Sequence, residues 1–192
     1  MSSSVDVAIN ANDTFNHIRI VNGIGVGLCF SRFLLFCAEF IQHPKKHKIS
    51  LIHFGWLFFS FTMVIAYWWS ILIERSDSLY GPPLYIVSLL NIFCLYFIIV
   101  ILTPEDIDEY GGYERYFISR RLWIFSFITL FIIINEFYDY IRSSDADYIP
   151  TYIIYSIILL FIIIRIKNKV IHISLLLLMN IINIIDIIYT QP

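Results

Sequence analysis

The sequence predicts an all-α integral membrane protein, a single polytopic domain over residues 1–192 with about six transmembrane helices and short loops. Of its 192 residues, 59% are hydrophobic and only 15% are charged, whereas a soluble domain has about 45–50% apolar and about 25% charged residues. The apolar residues form long runs, and a membrane-spanning helix needs about 20 such residues. The basic residues gather in alternate loops between these runs. Lipid must therefore be the solvent for most of the chain.

Six apolar segments are candidate spans, at about 18–42, 50–73, 83–103, 121–142, 149–165 and 169–189. The first four are each about 20 residues long or longer. The fifth is the shortest, but the stems of Arg165 and Lys167 can lengthen it by reaching the membrane surface. Only residues 166–168 separate it from the sixth, so these two segments form a tight antiparallel hairpin. Both are rich in Ile and Leu on all sides, whereas a helix lying on the membrane surface keeps a polar face.

The distribution of Lys and Arg predicts the orientation. Nine of the 13 basic residues lie in the first, third and fifth loops, against three in the N-terminal tail and the other two loops. Cytoplasmic loops carry such an excess of positive charge. We therefore expect a multi-pass membrane protein with both termini outside. The nine residues are Lys45, Lys46, Lys48, Arg115, Arg120, Arg121, Arg165, Lys167 and Lys169.

Composition and motifs also exclude several functions. A net charge of −2 argues against direct nucleic-acid binding. The three cysteines lie in apolar runs and are interpreted as packing residues, so no disulfide or metal site is expected. The sequence has no HExxH, GxSxG or P-loop motif, which are signatures of metal, serine and phosphate chemistry. A non-enzymatic protein without a cofactor is the prediction.

Charged residues inside the first predicted helix suggest a polar cluster on the cytoplasmic side. Arg32 lies near the middle of that helix, where a charge costs at least about 2.5–3.5 kcal/mol. Glu39 follows two turns later on the same face, and His53 and Trp56 begin the second helix at a similar depth. Arg120 or Arg121 could join them. The cluster is either an ion, proton or anionic-ligand site, or a structural ion pair that fixes helices to one another.

A second polar cluster is predicted near the outer side. Its members are Glu136 and Asp139 in the fourth helix and Asn183 and Asp186 in the sixth. The first two share a helix face because they are three residues apart. They could form a cation-attracting vestibule, a proton relay or a divalent-metal site. The alternative is interfacial capping, with Arg19, Arg75 and Arg142 as counter-ions.

Two further sets of residues suggest contacts with other molecules. Gly23, Gly27 and Ser31 form a row of small residues that lets helices approach closely, either within one subunit or in a homo-oligomer. The basic residues of the cytoplasmic side could contact anionic lipid or a cytosolic partner protein. They are Lys45, Lys46, Lys48, Arg115, Arg120 and Arg121.

The segment SRFLLFCAEFIQHPKKHKISLIHFGWLFFSFTMVIAYWW and the later GGYERYFISRRLW resemble a group of small bacterial polytopic membrane proteins. In that group an Arg-bearing first helix leads through a basic loop to a helix with an early His-x-x-Trp. In size, hydropathy and Ile, Phe and Tyr content the chain is also similar to membrane subunits of anti-phage systems, of which the Kiwa type is one. That resemblance implies a membrane sensor or anchor that works with a cytosolic partner.

Three functions therefore remain open from the sequence. The first is a subunit of the bacterial inner membrane that oligomerises and senses, or anchors, for a cytosolic partner, with antiviral defence as the process that the resemblance implies. The second is a small ion or proton channel or transporter lined by Arg32, Glu39, Glu136 and Asp186. The third is an immunity protein against pore-forming bacteriocins, because such immunity proteins share the same general composition.

Overall fold

The computed structural model describes residues 11–43, 49–73, 82–143, 154, 157–158, 165–166 and 168–189. These residues contain five α-helices, one short 3₁₀ turn and no strand. The helices are α1 (Ala11–Gln42), α2 (Leu51–Ile73), α3 (Pro82–Leu102), α4 (Tyr113–Ser143) and α5 (Lys169–Tyr189), and the turn is Asp108–Tyr110. The prediction of an all-helical fold is confirmed for this part of the chain.

Four of these helices contain segments long and apolar enough to cross a membrane. They are Phe15–Gln42, Leu51–Ile73, Pro82–Leu102 and Tyr113–Ile141, while the described apolar part of α5, Lys169–Ile182, is shorter. The chain is therefore a multi-pass membrane protein. The predicted helix at 149–165 lies almost entirely outside the described residues, so the count of six spans remains a prediction.

Two helices begin earlier than the hydropathy of the sequence predicts. α1 begins at Ala11 rather than at about residue 18, and α4 begins at Tyr113 rather than at about residue 121. In α4 the reason is a buried stripe of Tyr113, Tyr116 and Phe117, which has the spacing of one helix face. Charged side chains interrupt the hydropathy of this first part of α4 without interrupting its apolar face.

This earlier start places three predicted loop residues on a helix. Arg115, Arg120 and Arg121 all lie in the first three turns of α4. A helix spaces these side chains on defined faces, whereas a loop would leave them free to move.

The core lies mainly between α3 and its neighbours. α3 packs against α1, α2 and α4, and α5 packs against α2. Leu95, Ile98, Ile99 and Leu102 of α3 are fully buried. This central position means that the C-terminal end of α3 meets side chains from several helices.

Glycines allow two of these helix pairs to approach closely. A Cβ atom added at Gly25 of α1 would overlap Cγ1 of Ile92 in α3, and one added at Gly55 of α2 would overlap Cδ2 of Leu176 in α5. Neither position has room for a methyl group without movement of its neighbour.

Candidate functional site

The carbonyl groups at the end of α3 collect hydrogen bonds from three different helices. A helix leaves its last four carbonyls without partners of its own. The Tyr116 hydroxyl of α4 donates to the carbonyl of Ile101 at 2.7 Å. His53 Nε2 of α2 bonds the carbonyl of Leu102 at 2.7 Å, and Arg32 Nη2 of α1 donates to the carbonyl of Thr103 at 3.1 Å. We call Arg32, His53, Thr103 and Tyr116 the α3 hub.

Thr103 itself donates hydrogen bonds to the carbonyls of Ile99 and Val100, one turn before the end of α3. Its hydroxyl donates to the carbonyl of Ile99 at 2.8 Å, and its backbone N–H donates to the carbonyl of Val100 at 3.2 Å. All five carbonyls from Ile99 to Thr103 therefore have a partner. The hub thus ends α3 inside the protein and ties α1, α2 and α4 to that end.

His53 is a buried member of the hub. Its side chain has no exposed surface, and its ring lies 5.0 Å from that of Tyr113 and 5.9 Å from that of Tyr116, measured between centroids. Because a carbonyl only accepts hydrogen bonds, Nε2 must carry the proton that binds Leu102. The ring is thereby held in one tautomer.

Trp56, one turn after His53, belongs to the hydrophobic core. It is 1% exposed, and its ring packs edge-on against Phe125 of α4 with centroids 4.7 Å apart. The His-x-x-Trp pair picked out from the sequence therefore joins α2 to α4, with His53 on the hub and Trp56 beneath it.

Arg32 lies at the level where α3 ends. Its Nε donates to the Thr103 hydroxyl at 3.3 Å, and Nη1 forms an ion pair with Glu105 at 3.0 Å. α1 has 32 residues and so measures about 48 Å, longer than the roughly 30 Å hydrocarbon core. Arg32 therefore does not have to lie at mid-membrane, and the negative end of the α3 dipole favours its charge.

Glu39 lies near the same ion pair. A small cavity of about 90 Å³ is lined by Arg32, Glu39, Thr103 and Glu105 among others. The structure thus brings two predicted cluster members, Arg32 and Glu39, to one polar cavity. Arg120 instead contacts Tyr110, both at its hydroxyl and over its ring, with the guanidinium 5.4 Å from the centroid.

The loop that follows α3 is held by one buried side chain and by hydrogen bonds within the loop. Ile107 is 2% exposed, and the Asp106 carboxylate accepts the backbone N–H of Asp108 at 2.8 Å. Gly111 and Gly112 have φ angles of 64° and 134°, which favour glycine. The loop therefore has one defined path from α3 to α4.

Charged side chains project from this fixed loop and from the start of α4. We call the exposed set the charged platform; its members are Glu105, Asp106, Asp108, Glu109, Arg115 and Arg120. Its acidic residues come from the loop and its basic residues from α4. The arrangement presents both signs of charge on a preorganised surface.

An ion pair places the start of α5 beside the start of α4. Lys169 Nζ lies 2.6 Å from a carboxylate oxygen of Glu114. The predicted fifth loop, which ends at Lys169, is therefore at the same end of the bundle as the charged platform. The first-loop residues Lys45, Lys46 and Lys48 lie outside the described residues.

The predicted outer residues are only partly described. Asn135 Nδ2 donates to Asp139 at 3.4 Å within α4. Glu136 is half-buried, and its Oε2 has no hydrogen-bond partner in the part of the chain that the structure describes. Asn183 and Asp186 lie in α5, but their side chains are outside the described residues.

The row of small residues in α1 is divided between two environments. Gly23 faces the protein, where an added Cβ would lie 3.1 Å from the Trp68 ring. Gly27 and Ser31 are exposed, and a Cβ at Gly27 would meet nothing within 4 Å. Only the second half of the row is therefore open to another molecule.

The sequence interpretation missed a buried hydrogen-bond network at the other end of α3. Asn22 Nδ2 donates to the Ser88 hydroxyl at 2.6 Å, and the Tyr67 hydroxyl donates to Asn22 Oδ1 at 2.8 Å. The network links α1, α2 and α3. Asn22, an amide within an apolar run, was its one visible signal, because such a group needs a partner in lipid.

Within the described ranges, no group of three or more His, Cys, Asp and Glu residues is placed to hold a metal ion. Comparison of the chain with family models, with curated proteins and with solved structures finds no significant match. The α3 hub and the charged platform are therefore the features of the described residues that bear on function.

Proposed function

We propose that this protein is a non-enzymatic membrane subunit that presents the charged platform to a cytosolic partner protein. The observation that carries this proposal is the contrast between exposed charges and an anchored backbone. Glu109 and Arg115 are exposed, while the adjoining Ile107, Tyr113 and Tyr116 are buried. A preorganised surface loses little conformational entropy when it binds, and matched charges steer association.

The proposed topology has six spans across a bacterial inner membrane, with both termini outside and the platform on the cytoplasmic side. The excess of Lys and Arg in alternate loops supports this orientation. The ion pair between Lys169 and Glu114 supports the placement of the third and fifth loops on one side of the membrane, which the alternation of six spans requires.

The proposal extends to a homo-oligomer. Gly27 and Ser31 are exposed on α1, and small residues on a lipid-facing surface allow a second helix to approach closely. The similarity in composition to membrane subunits of anti-phage systems makes bacterial antiviral defence the process in which to test the subunit.

Charge reversal on the platform tests the proposed function. The tagged protein is expressed at native level, cross-linked in cells and purified in a mild detergent with any bound protein. We expect the double variant Arg115→Glu and Arg120→Glu to lose the partner while its helical content and elution volume stay unchanged. Arg165→Glu is the control for each single reversal, Arg115→Glu or Arg120→Glu, because Arg165 is exposed but lies outside the platform.

Three results would contradict the proposal. The first is a wild-type protein that carries no partner at native expression. The second is a partner that the double variant retains. The third is an equal loss in Arg165→Glu, which would show that total positive charge rather than the platform holds the partner.

A further inference from the structure

A second candidate site lies in the half of the bundle away from the α3 hub. A cavity of about 290 Å³ lies between α2, α4 and α5 and opens onto the surface of the bundle. Its lining includes Phe59, Met63, Ala66 and Ser70 of α2, Asn135 of α4 and Met179 of α5. It is separate from the charged platform, so its occupant does not depend on the proposed function.

The lining of this cavity changes in polarity along the helices. Phe59, Met63 and Met179 make the part nearest the middle of the helices apolar, and methionine adapts its shape to irregular apolar groups. Ser70 and Asn135 add a hydroxyl and an amide toward the C-terminal ends of α2 and α4, beside Ile132 and Ile182. The hydroxyl donates to the carbonyl of Tyr67 at 2.8 Å and the amide nitrogen to Asp139 at 3.4 Å, so the hydroxyl oxygen and the amide oxygen are the groups that face a ligand as acceptors. The cavity thus has an apolar depth and a polar end, as an amphipathic ligand requires.

The dimensions of the cavity match one hydrocarbon chain. From Phe59 to Ser70 it follows α2 for about 16 Å, at 1.5 Å per residue. Its volume of about 290 Å³ lies just below the roughly 300–1,000 Å³ of small-molecule pockets, so it does not accommodate a whole phospholipid. Length and volume together favour a single extended chain.

The position of the cavity determines the source of that chain. All of its α2 and α4 residues lie within segments able to span a membrane, so the cavity lies at the depth of the hydrocarbon core, where acyl chains are the abundant apolar groups. An empty apolar cavity forgoes the dispersion contacts of its walls. We propose that the cavity holds one acyl chain of a membrane phospholipid, with the polar end of the lipid near Ser70 and Asn135.

Photo-cross-linking tests this site. The protein is reconstituted in vesicles of phosphatidylethanolamine and phosphatidylglycerol that contain a phospholipid with a diazirine in one acyl chain. After irradiation, peptide mapping locates the adducts. We expect adducts enriched at Met63 and Met179 over exposed positions such as Leu72 and Leu178.

Cavity-filling variants make the test specific. Ala66→Phe places a ring in the cavity, and the enriched adducts should fall by about tenfold, which corresponds to about 1.4 kcal/mol of lost affinity. Ile65→Phe adds a ring at a neighbouring, exposed position and should leave them unchanged. If Ala66→Phe does not elute from size-exclusion chromatography at the wild-type volume, Ala66→Leu replaces it as the smaller substitution.

Two outcomes would overturn the inference. One is an even spread of adducts over the lipid-facing surface, which would show contact with bulk lipid only. The other is an equal adduct yield in Ala66→Phe and Ile65→Phe, which would show that the labelled chain does not enter the cavity.

Discussion

Substituting glycine by alanine at three positions should separate the cost of helix approach from the benefit of helix propensity. A methyl group at Gly25 would overlap Cγ1 of Ile92 and lie 3.3 Å and 3.5 Å from its Cδ1 and Cβ. Ile92 is 3% exposed and β-branched, so its side chain has little freedom to rotate away. The two helices must therefore move apart.

The change in the free energy of unfolding for Gly25→Ala is the sum of two opposing contributions. Overpacking of this kind costs about 1–3 kcal/mol, while alanine gains up to about 1 kcal/mol over glycine in a helix. Gly27 has open space around it, so Gly27→Ala should gain the helix propensity of alanine without any cost of overpacking. The two α1 variants should differ by about 1–3 kcal/mol.

Gly55→Ala should fall between these two variants. Its methyl group would overlap only Cδ2 of Leu176, while Cγ and Cδ1 lie at 3.5 Å and 3.6 Å. The end of a leucine side chain can move by changing rotamer, at about 0.5–1.5 kcal/mol where the new angle is strained. The expected order of stability is therefore Gly27→Ala, then Gly55→Ala, then Gly25→Ala.

The assay is unfolding in mixed micelles by increasing dodecyl sulfate, followed by circular dichroism. A double variant completes the test: Ile92→Ala removes the overlapping atom, so Gly25→Ala should cost less in that background than in wild type. Equal midpoints for Gly25→Ala and Gly27→Ala, or strictly additive effects in the double variant, would refute the close approach of α1 and α3.

Two further substitutions test the polar contacts. Tyr67→Phe removes a hydroxyl whose one proton is shared between Asn22 Oδ1 at 2.8 Å and the carbonyl of Ser88 at 3.1 Å. We expect a loss of about 0.6 kcal/mol, the average for interhelical hydrogen bonds in membranes, and an unchanged unfolding midpoint would contradict the network. Glu105→Gln removes the ion pair with Arg32, in which the Glu105 side chain is 83% exposed. We expect the free energy of unfolding to fall by less than about 1 kcal/mol, and by still less in high salt. A larger loss that does not depend on salt would show that the pair is buried.

The fold could be predicted from the sequence wherever hydropathy and helix boundaries coincide. α2, α3 and α5 begin and end within one residue of the predicted bounds, because polar loops mark both ends. α4 was predicted too short because Arg115 and Arg120 lower the local hydropathy, although Tyr113 and Tyr116 continue the buried face. Helical periodicity would have revealed this continuation, whereas average hydropathy could not.

The candidate site could be predicted only in part. The shared depth of Arg32 and His53 followed from counting turns, and both residues do bind carbonyls at the end of α3. Their partners could not be predicted, because a backbone carbonyl has no residue-type signature. The ion pair of Arg32 with Glu105 depends on the path of the loop, which is set by the buried Ile107.

The two halves of the charged platform are held by different helices, and this has a consequence for the proposed partner. Arg32 of α1 binds Glu105 and Thr103, so the position of α1 sets the start of the acidic half. Arg115 and Arg120 belong to α4 itself. The spacing between the two halves therefore depends on how α1 and α4 pack around the end of α3. A partner that contacts both halves recognises this packing as well as the charges, which distinguishes a folded bundle from the same loop in isolation.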